Sequence, residues 1–431
     1  MSANAPRLCG VGVDFGTTNS VVALAFDDGE VESLVWPTAE GPGATFRSAM
    51  AFWREGRRLA HVSGPRALER AIAAEGEQRF LQSIKTYLGS RGFSETRLYG
   101  HRLTIEELIG LFLADLLADL PQGAGGAPVM LSGRPVVFAG ENPDEDLAVS
   151  RLRAAYARAG FAGVELAFEP LGAAYWHERQ ARRDETVLVA DFGGGTSDFS
   201  ILRFSREGGR LRARPRAHSG VGVAGDAFDY RIVDHVVSPR LGKGGFYRSF
   251  EKRLPIPAFW HAAFAQWHQL SFLKTPQTLA ELAALVKAAE EPEKLEDLRA
   301  VIEHDLAFEL YRAVGAVKAR LSQAQEARFS FMREGVRIEA DVRRADFERW
   351  IGDDLARIAA ATDEAVRASG LRAQDVDAVF LTGGTSFVPA VRALYAARFG
   401  EAKLHIGDAF QSVASGLALM AADRAREESP A

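Results

Sequence analysis

Cysteine is all but missing from this chain: Cys9 is the single example among 431 residues. No disulfide can close within it, which points to a reducing compartment. Lysine is also scarce, eight residues against 44 arginines. Those arginines are scattered among Asp and Glu, and the net charge is −5. No basic patch therefore argues for nucleic acid. No apolar run approaches the roughly 20 residues that span a bilayer. The first strand-like run starts within about ten residues of Met1, which leaves no room for a leader peptide. These absences describe a soluble, cytoplasmic protein. A Gly-x-x-x-x-Gly-Lys-Ser/Thr loop is absent too, so this is not an ordinary P-loop protein. At 431 residues the chain exceeds one compact core, and two lobes or more are expected.

What is present is a phrase that occurs twice. Asp14-Phe15-Gly16-Thr17-Thr18-Asn19-Ser20 follows the apolar run Val11–Val13. Asp191-Phe192-Gly193-Gly194-Gly195-Thr196-Ser197-Asp198 follows the run Thr186–Ala190. Both runs are short and uninterrupted, as in a buried strand. Apolar residues then resume at Val21–Ala25 and Phe199–Leu202. Two β-hairpins with matching hydroxyl- and glycine-rich tips predict two related lobes that face one polyanion.

Further elements are readable between and after the hairpins. Pro135–Ala139 is strand-like, and Asn142–Asp146 opens a helix with Pro143 at its first position. Val149, Leu152 and Tyr156 share one face of that helix and Gly160 stops it. Val164–Phe168 is another strand, ending at Glu169-Pro170. A third strand-to-glycine junction joins Ala378–Leu381 to Thr382-Gly383-Gly384-Thr385-Ser386, ahead of a helix from Pro389 to Gly400. From about Asp226 to Glu326 long helical stretches dominate, Leu279–Ala289 and Leu295–Leu321, with Thr275-Pro276 as a helix cap. The polar tail Asp423–Ala431 is expected to fray.

A triphosphate needs backbone N–H groups and hydroxyls around its oxygens and a metal to offset its charge. Glycine lets the backbone come close, and Thr and Ser add donors. Asp14 and Asp191 each end a strand beside such a loop, where carboxylates can hold the waters of Mg²⁺. Asp-Gly hairpin tips are also ordinary turn chemistry. The matched duplication is what favours the phosphate reading.

The two hairpins and Leu381–Ser386 are similar to the phosphate-1, phosphate-2 and adenosine motifs of the actin-like ATPase superfamily. Their wording resembles the ATPase domain of the DnaK-type 70-kDa heat-shock chaperones, over approximately Val11 to Met420. The resemblance implies an α/β fold: a two-lobed actin-like ATPase with duplicated ribonuclease-H-like sheets and a helical insertion in the second lobe. The lobes would be 1–182, with 39–126 peripheral and 404–431 returning to it, and 183–403, with 226–335 inserted. The cofactors it implies are ATP or ADP and Mg²⁺.

Carried over residue by residue, Gly16, Thr17, Thr18 and Asn19 would face the phosphates from one side, and Gly193, Gly194, Gly195 and Thr196 from the other. Asp14, Asp191 and Glu169 would hold the metal, mostly through water. Ser83–Gly89 resembles the segment with the family's catalytic lysine, which makes Lys85 the candidate beside Glu169, Asp191 and Thr196. Asp198 matches the family's Asp two residues after that threonine. Gly225 and Asp226 fall in a segment resembling the phosphate-side Gly-Gly-x-Asp-Phe-Asp; Lys318, Ser322, Gly383, Gly384, Thr385 and Phe387 correspond to the adenosine side. A helical Lys–Ser pair four apart is common, and so is a solvated lysine.

The chain departs from the family in several respects. Gly315 stands where the adenosine helix has Glu, and Phe387 where the base-stacking Arg is found. Gly140 follows the expected strand where chaperones carry a relay proline. The insertion is longer than the family's, and no peptide-binding β-sandwich follows, as expected of a short form. The function implied is Mg-dependent ATP binding with slow hydrolysis in a chaperone-like switch. An ATP sensor with little hydrolysis, an actin-like filament protein and a small-molecule kinase are the alternatives. A protein partner is expected, without nucleic acid or membrane, and a polypeptide client is left open.

Overall fold

The computed structural model describes residues 6–38, 41–73, 78–121, 128–135, 138, 142–178, 184–207, 210–264, 273–406 and 412–428. The chain divides into two compact units, 1–224 with 357–386 and 392–431, and 225–356 with 387–391.

The first unit holds two sheets of one topology. In the first, Leu8–Phe15 pairs antiparallel with Asn19–Phe26 and parallel with Val129–Arg134, which pairs parallel with Glu165–Phe168. In the second, Glu185–Phe192 pairs antiparallel with Ser197–Glu207 and parallel with Ala378–Thr382, which pairs parallel with Leu404–Ile406. Val31–Ser33 and Arg210–Val221 extend the two hairpins at the opposite edges. This duplicated arrangement is the actin-like ATPase fold expected from the paired motifs.

The strand Leu8–Phe15 shows how the sequence sets the packing. Val11, Val13 and Phe15 alternate on one face and are fully buried. Phe15 packs on Phe112 with ring centroids 5.4 Å apart, and Phe112 on Phe46 at 5.5 Å. Phe112 belongs to the helix Ile105–Leu116, whose Thr104 and Glu107 form a reciprocal N-terminal cap. The other face carries Gly10, Gly12 and Asp14. A Cβ on Gly12 would lie 2.0 Å from the Ala414 carbonyl, and one on Gly10 2.3 Å from that of Ala418. The helix Ser412–Glu428 thus rests on bare backbone.

Four expectations are corrected. The strand beside Leu8–Phe15 is Val129–Arg134, upstream of the expected Pro135–Ala139. Pro135 and Phe138 are outside any strand, while Val136, Val137, Ala139 and Gly140 lie outside the described residues. Because Pro135 directly follows Arg134, a proline does stand at the end of this strand. The next helix begins at Glu145 with Asp144 as N-cap, its carboxylate accepting from the Leu147 N–H at 3.0 Å, so Pro143 precedes the helix. The stretch expected as one helix over Leu295–Leu321 is two, Pro292–Glu303 and Ala307–Leu321, broken where Asp305 takes a left-handed φ of 55°. Finally, Asp423–Glu428 continues the last helix. The Tyr175 hydroxyl donates to Asp423, Arg424 pairs with Glu165, and Arg426 reaches the Asp27 carbonyl at 3.2 Å.

The second unit begins with the helix Gly225–Ile232 and contains the helices Pro276–Ala288, Pro292–Glu303 and Ala307–Leu321. The first of these three is capped by Thr275, whose hydroxyl accepts from the Thr278 N–H at 3.1 Å. Two hairpins accompany them, Phe246–Ser249 with Lys252–Pro255 and Glu326–Arg333 with Val336–Arg343. Among the described residues, no helix is long and apolar enough to cross a membrane.

Candidate functional site

The two repeated phrases fold alike. Asp14 faces Val21 and Phe15 faces Ser20 across the first hairpin; Asp191 faces Asp198 and Phe192 faces Ser197 across the second. Each tip therefore spans four residues, Gly16–Asn19 and Gly193–Thr196. The serine closing each turn is fully buried and anchored. The Ser20 hydroxyl lies 3.0 Å from that of Ser48, and Ser197 donates to the Val223 carbonyl at 2.6 Å. Ser48 also donates to the Gly16 carbonyl at 2.7 Å, and Gly193 N–H to the Thr196 carbonyl at 2.9 Å. The phosphate-facing candidates remain at the surface of these turns, partly or fully exposed. The Asn19 amide oxygen accepts from Arg47 at 3.3 Å, and the Thr196 hydroxyl donates to Asp198 at 3.2 Å.

Lys85 sits in the short turn Ile84–Tyr87, buried, with its ammonium 2.6 Å from Glu169 Oε1 and 5.8 Å from the Phe15 ring centroid. A solvated surface lysine is excluded. Glu169 is equally buried, at the junction of the strand Glu165–Phe168 and the helix Glu169–Glu178. Gly133 makes its space, since a Cβ there would lie 2.8 Å from Glu169 Cγ.

Asp14 and Asp191 keep part of their surface open to solvent. Even so, desolvation by the surrounding protein and then the Glu169 charge hold Asp14 well above the usual carboxylate range, with a further push from Asp191. The same two causes, desolvation first, raise Asp191 to about 6, moderated by a 2.6 Å hydrogen bond from the Thr382 hydroxyl. Burial alone would lower Lys85, but Glu169 and Asp14 outweigh it and the amine stays protonated above its ordinary value. Three carboxylates thus surround one ammonium, leaving negative charge uncompensated.

That excess is what a divalent cation would neutralise. Among the described residues, no three His, Cys, Asp or Glu side chains are arranged to ligate one ion directly. The donor set fits a hydrated Mg²⁺, which keeps several of its waters and takes one or two carboxylates.

The remaining candidates are distributed as follows. Gly383, at φ 83°, brings its backbone so near Phe192 that a Cβ would lie 1.9 Å from that carbonyl. After it, Thr385 and Ser386 are buried, whereas Phe387 is half exposed. Gly225, Asp226, Lys318 and Ser322 belong to the second unit. There the Lys318 ammonium is held by Asp229 at 2.9 Å and the Gly225 carbonyl at 3.1 Å. The Ser322 hydroxyl donates to the Lys318 carbonyl at 3.2 Å. Gly315 faces open space.

Three contributors escaped the sequence reading. Thr382 was visible only as a polar residue ending an apolar strand. Gly133 gave no signal. The buried Tyr156 hydroxyl donates to Ser132 at 2.6 Å, and burial followed by the Asp14 and Glu169 charges pushes its pKa up. In the sequence Tyr156 reads only as part of a helix's apolar face.

Sequence comparison leads to the same place. The family described as Hsp70 protein matches residues 152–247 and 285–425. The chaperone protein DnaK of Thermosipho africanus is 27% identical over 422 residues, which is 97% of this chain and 59% of the relative. DnaK of Thermotoga maritima is 27% identical over 96% of this chain and 59% of its own length. DnaK of Deinococcus deserti is 25% identical over 95% and 59%. The chain spans less than two thirds of the length of these curated relatives.

Proposed function

The chain belongs to the Hsp70 family, and from that premise we propose that it binds ATP with Mg²⁺ and hydrolyses it slowly, as a nucleotide-driven switch of chaperone type. The observation that carries this reading is the buried Lys85–Glu169 pair at 2.6 Å, set among Asp14 and Asp191 at the roots of two matched hairpins.

The backbone N–H groups and hydroxyls of Gly16–Asn19 and Gly193–Thr196 bind the phosphates, which glycine-rich turns of this kind do without steric conflict. Asp14, Asp191 and Glu169 would hold the metal, mostly through hydrogen bonds to its water shell. Mg²⁺, when bound, offsets phosphate charge and polarises the transferred group. Lys85 remains cationic and stabilises charge that develops on the γ-phosphate oxygens. Glu169 also fixes the direction of that ammonium and accepts a hydrogen bond from the attacking water. Phe387 offers a ring for the adenine in place of the family's cation. Cytoplasmic residence and a protein partner that senses the nucleotide state complete the reading.

The test is single-turnover hydrolysis of labelled ATP by the purified protein with Mg²⁺, beside Lys85→Ala. Turnover that falls sharply in the variant, with binding retained, is the expected result. Equal turnover in both would remove Lys85 from the chemistry. An ATP sensor with little hydrolysis is the rival reading. Tight binding without turnover in either protein would select it.

A further inference from the structure

One buried cation has no part in the chemistry proposed above. Arg151 lies on the helix Glu145–Arg158 and is 6% exposed. Its Nη1 donates to three main-chain carbonyls, Tyr87 at 3.2 Å, Leu88 at 3.1 Å and Ser90 at 2.9 Å. Its Nε lies 3.3 Å from Glu106 Oε1. All three carbonyls belong to the end of the turn that carries Lys85 or to the residues just after it.

That turn has little to hold it by itself. It is a four-residue 3₁₀ segment entered through Ser83 at a left-handed φ of 55°. Hydrogen bonds of this type are poorly aligned, and such turns persist where something else fixes them. Two neighbouring contacts dock the same segment on the start of the Arg151 helix. The Asp144 N–H donates to the Gly89 carbonyl at 2.9 Å, and Arg91 Nη2 lies 2.7 Å from Asp144 Oδ2. A guanidinium in this position is expensive to bury, and an apolar side chain would fill the space at lower cost. Without the guanidinium, three inward-facing carbonyls lose a donor. All three bonds leave the one nitrogen Nη1, and the rigid guanidinium, with Nε beside Glu106, fixes the place of that nitrogen more tightly than the flexible stem of a lysine would.

We infer that Arg151 is a positioning residue for Lys85: its buried guanidinium, through Nη1, locks the turn that aims the Lys85 ammonium at Glu169. The inference rests on the ATPase reading for its consequence in turnover, but the hold on Lys85 is measurable without nucleotide. A staple that serves stability alone would affect the whole first unit equally. A positioning residue would release Lys85 selectively.

The experiment compares wild type with Arg151→Met and Arg151→Lys, each checked for cooperative unfolding. Ligand-free protein is acetylated with limiting acetic anhydride at pH 8, and each lysine is quantified by mass spectrometry. Lys85 is the only lysine before Lys243, so its peptide is unambiguous, and Lys403 in the same unit is the internal reference. The expected result is Lys85 acetylation at least tenfold faster in Arg151→Met relative to Lys403, with a smaller rise in Arg151→Lys. Single-turnover hydrolysis should fall at least tenfold while the nucleotide Kd stays within threefold. Lys85 labelling within twofold of wild type overturns the inference, and so does an equal rise at Lys85 and Lys403. A Kd that weakens as much as turnover falls overturns it too. If Arg151→Met does not fold, Arg151→Lys is judged by a threefold selective rise at Lys85. If wild type does not hydrolyse ATP, the ATPase reading fails while the acetylation arm still decides the role of Arg151.

Discussion

Replacing Asp191 by Asn should make the ligand-free protein more stable and its metal response weaker, two opposite changes from one substitution. The Asp191 carboxyl titrates at about 6 in the fold against 3.8 as the ordinary value, because desolvation and the Glu169 charge oppose its ionisation. A raised carboxyl pKa means that the folded state holds its proton more tightly than the unfolded state. Stability is therefore greatest below pH 4 on this account and is lost as pH rises through 6. A difference of about two units corresponds to about 3 kcal/mol at most. Asp191 keeps part of its surface open, and solvent screening brings the expected gain in Asp191→Asn down to about 1–2 kcal/mol at pH 7.5. The Thr382 hydroxyl can still donate to the amide oxygen at 191, so the 2.6 Å bond is not the cause of any loss. The assay is urea unfolding of both proteins in EDTA at half-unit steps from pH 3 to 7.5. The difference between them should be near zero at the acid end and level off above pH 7. With Mg²⁺ and ADP at 100 times the Kd, a native-state ligand adds about 2.7 kcal/mol, and at the same concentrations the variant should gain less. A variant no more stable than wild type at pH 7.5, or a difference that does not change with pH, would refute the argument that Asp191 carries uncompensated charge.

Lys85→Ala should leave ATP binding intact and slow single-turnover hydrolysis by about 2–4 kcal/mol of lost transition-state stabilisation, read against wild type at saturating Mg·ATP. Thr382→Val removes the donor that favours ionised Asp191, so the midpoint of metal binding against pH should move upward, as isothermal titration at several pH values would show. Gly133→Ala drives a methyl group to 2.8 Å from Glu169 Cγ. It should cost about 1–3 kcal/mol of stability by overpacking, with a disproportionate fall in hydrolysis. Gly12→Ala meets backbone atoms at 2.0 and 2.3 Å and should destabilise the first unit by about 3 kcal/mol or more, with a lower urea midpoint as the measurement.

The hairpins were legible because everything that specifies them is local. An apolar run, an acid, glycines and hydroxyls encode a strand, its end and a four-residue turn within about a dozen positions. The same holds for Thr275 as a helix cap and for the stop at Gly400, which takes a φ of 92°. Errors arose where a local signal had two readings. Pro135–Ala139 carries a strand-like apolar run, yet the strand that pairs with Leu8–Phe15 is Val129–Arg134, and only that pairing identifies it. Leu295–Leu321 keeps a helical period throughout, while Asp305 turns the chain in its middle. A left-handed residue that is not glycine announces itself weakly.

Asp14, Lys85, Glu169 and Asp191, which the fold brings together, are all candidates in the sequence, but what governs their charge is not legible there. Asp14, Lys85, Glu169 and Asp191 are far apart in the chain, and their pKa values are set by mutual distance and by burial, neither of which composition reports. Thr382 matters because it bonds to Asp191, and Gly133 because Glu169 needs its volume. Both are roles defined by a partner, invisible until the partner is placed.

The tail makes the same point about support for the site. Read alone, Asp423–Glu428 is a run of charges, and solvation is its ordinary fate. In the fold, Asp423 accepts from Tyr175 and Arg426 reaches the Asp27 carbonyl, so these charges tie the last helix to the helix Glu169–Glu178 and to the turn after the strand Asn19–Phe26. That helix lies on Gly10 and Gly12, the glycine face of the strand that ends in Asp14. A second close approach, where a Cβ on Gly416 would lie 1.7 Å from the Gly172 carbonyl, sets the same helix against the one that opens with Glu169. One C-terminal helix therefore fixes the spacing of two of the three carboxylates. Shifting it should alter how strongly Glu169 raises the Asp14 pKa.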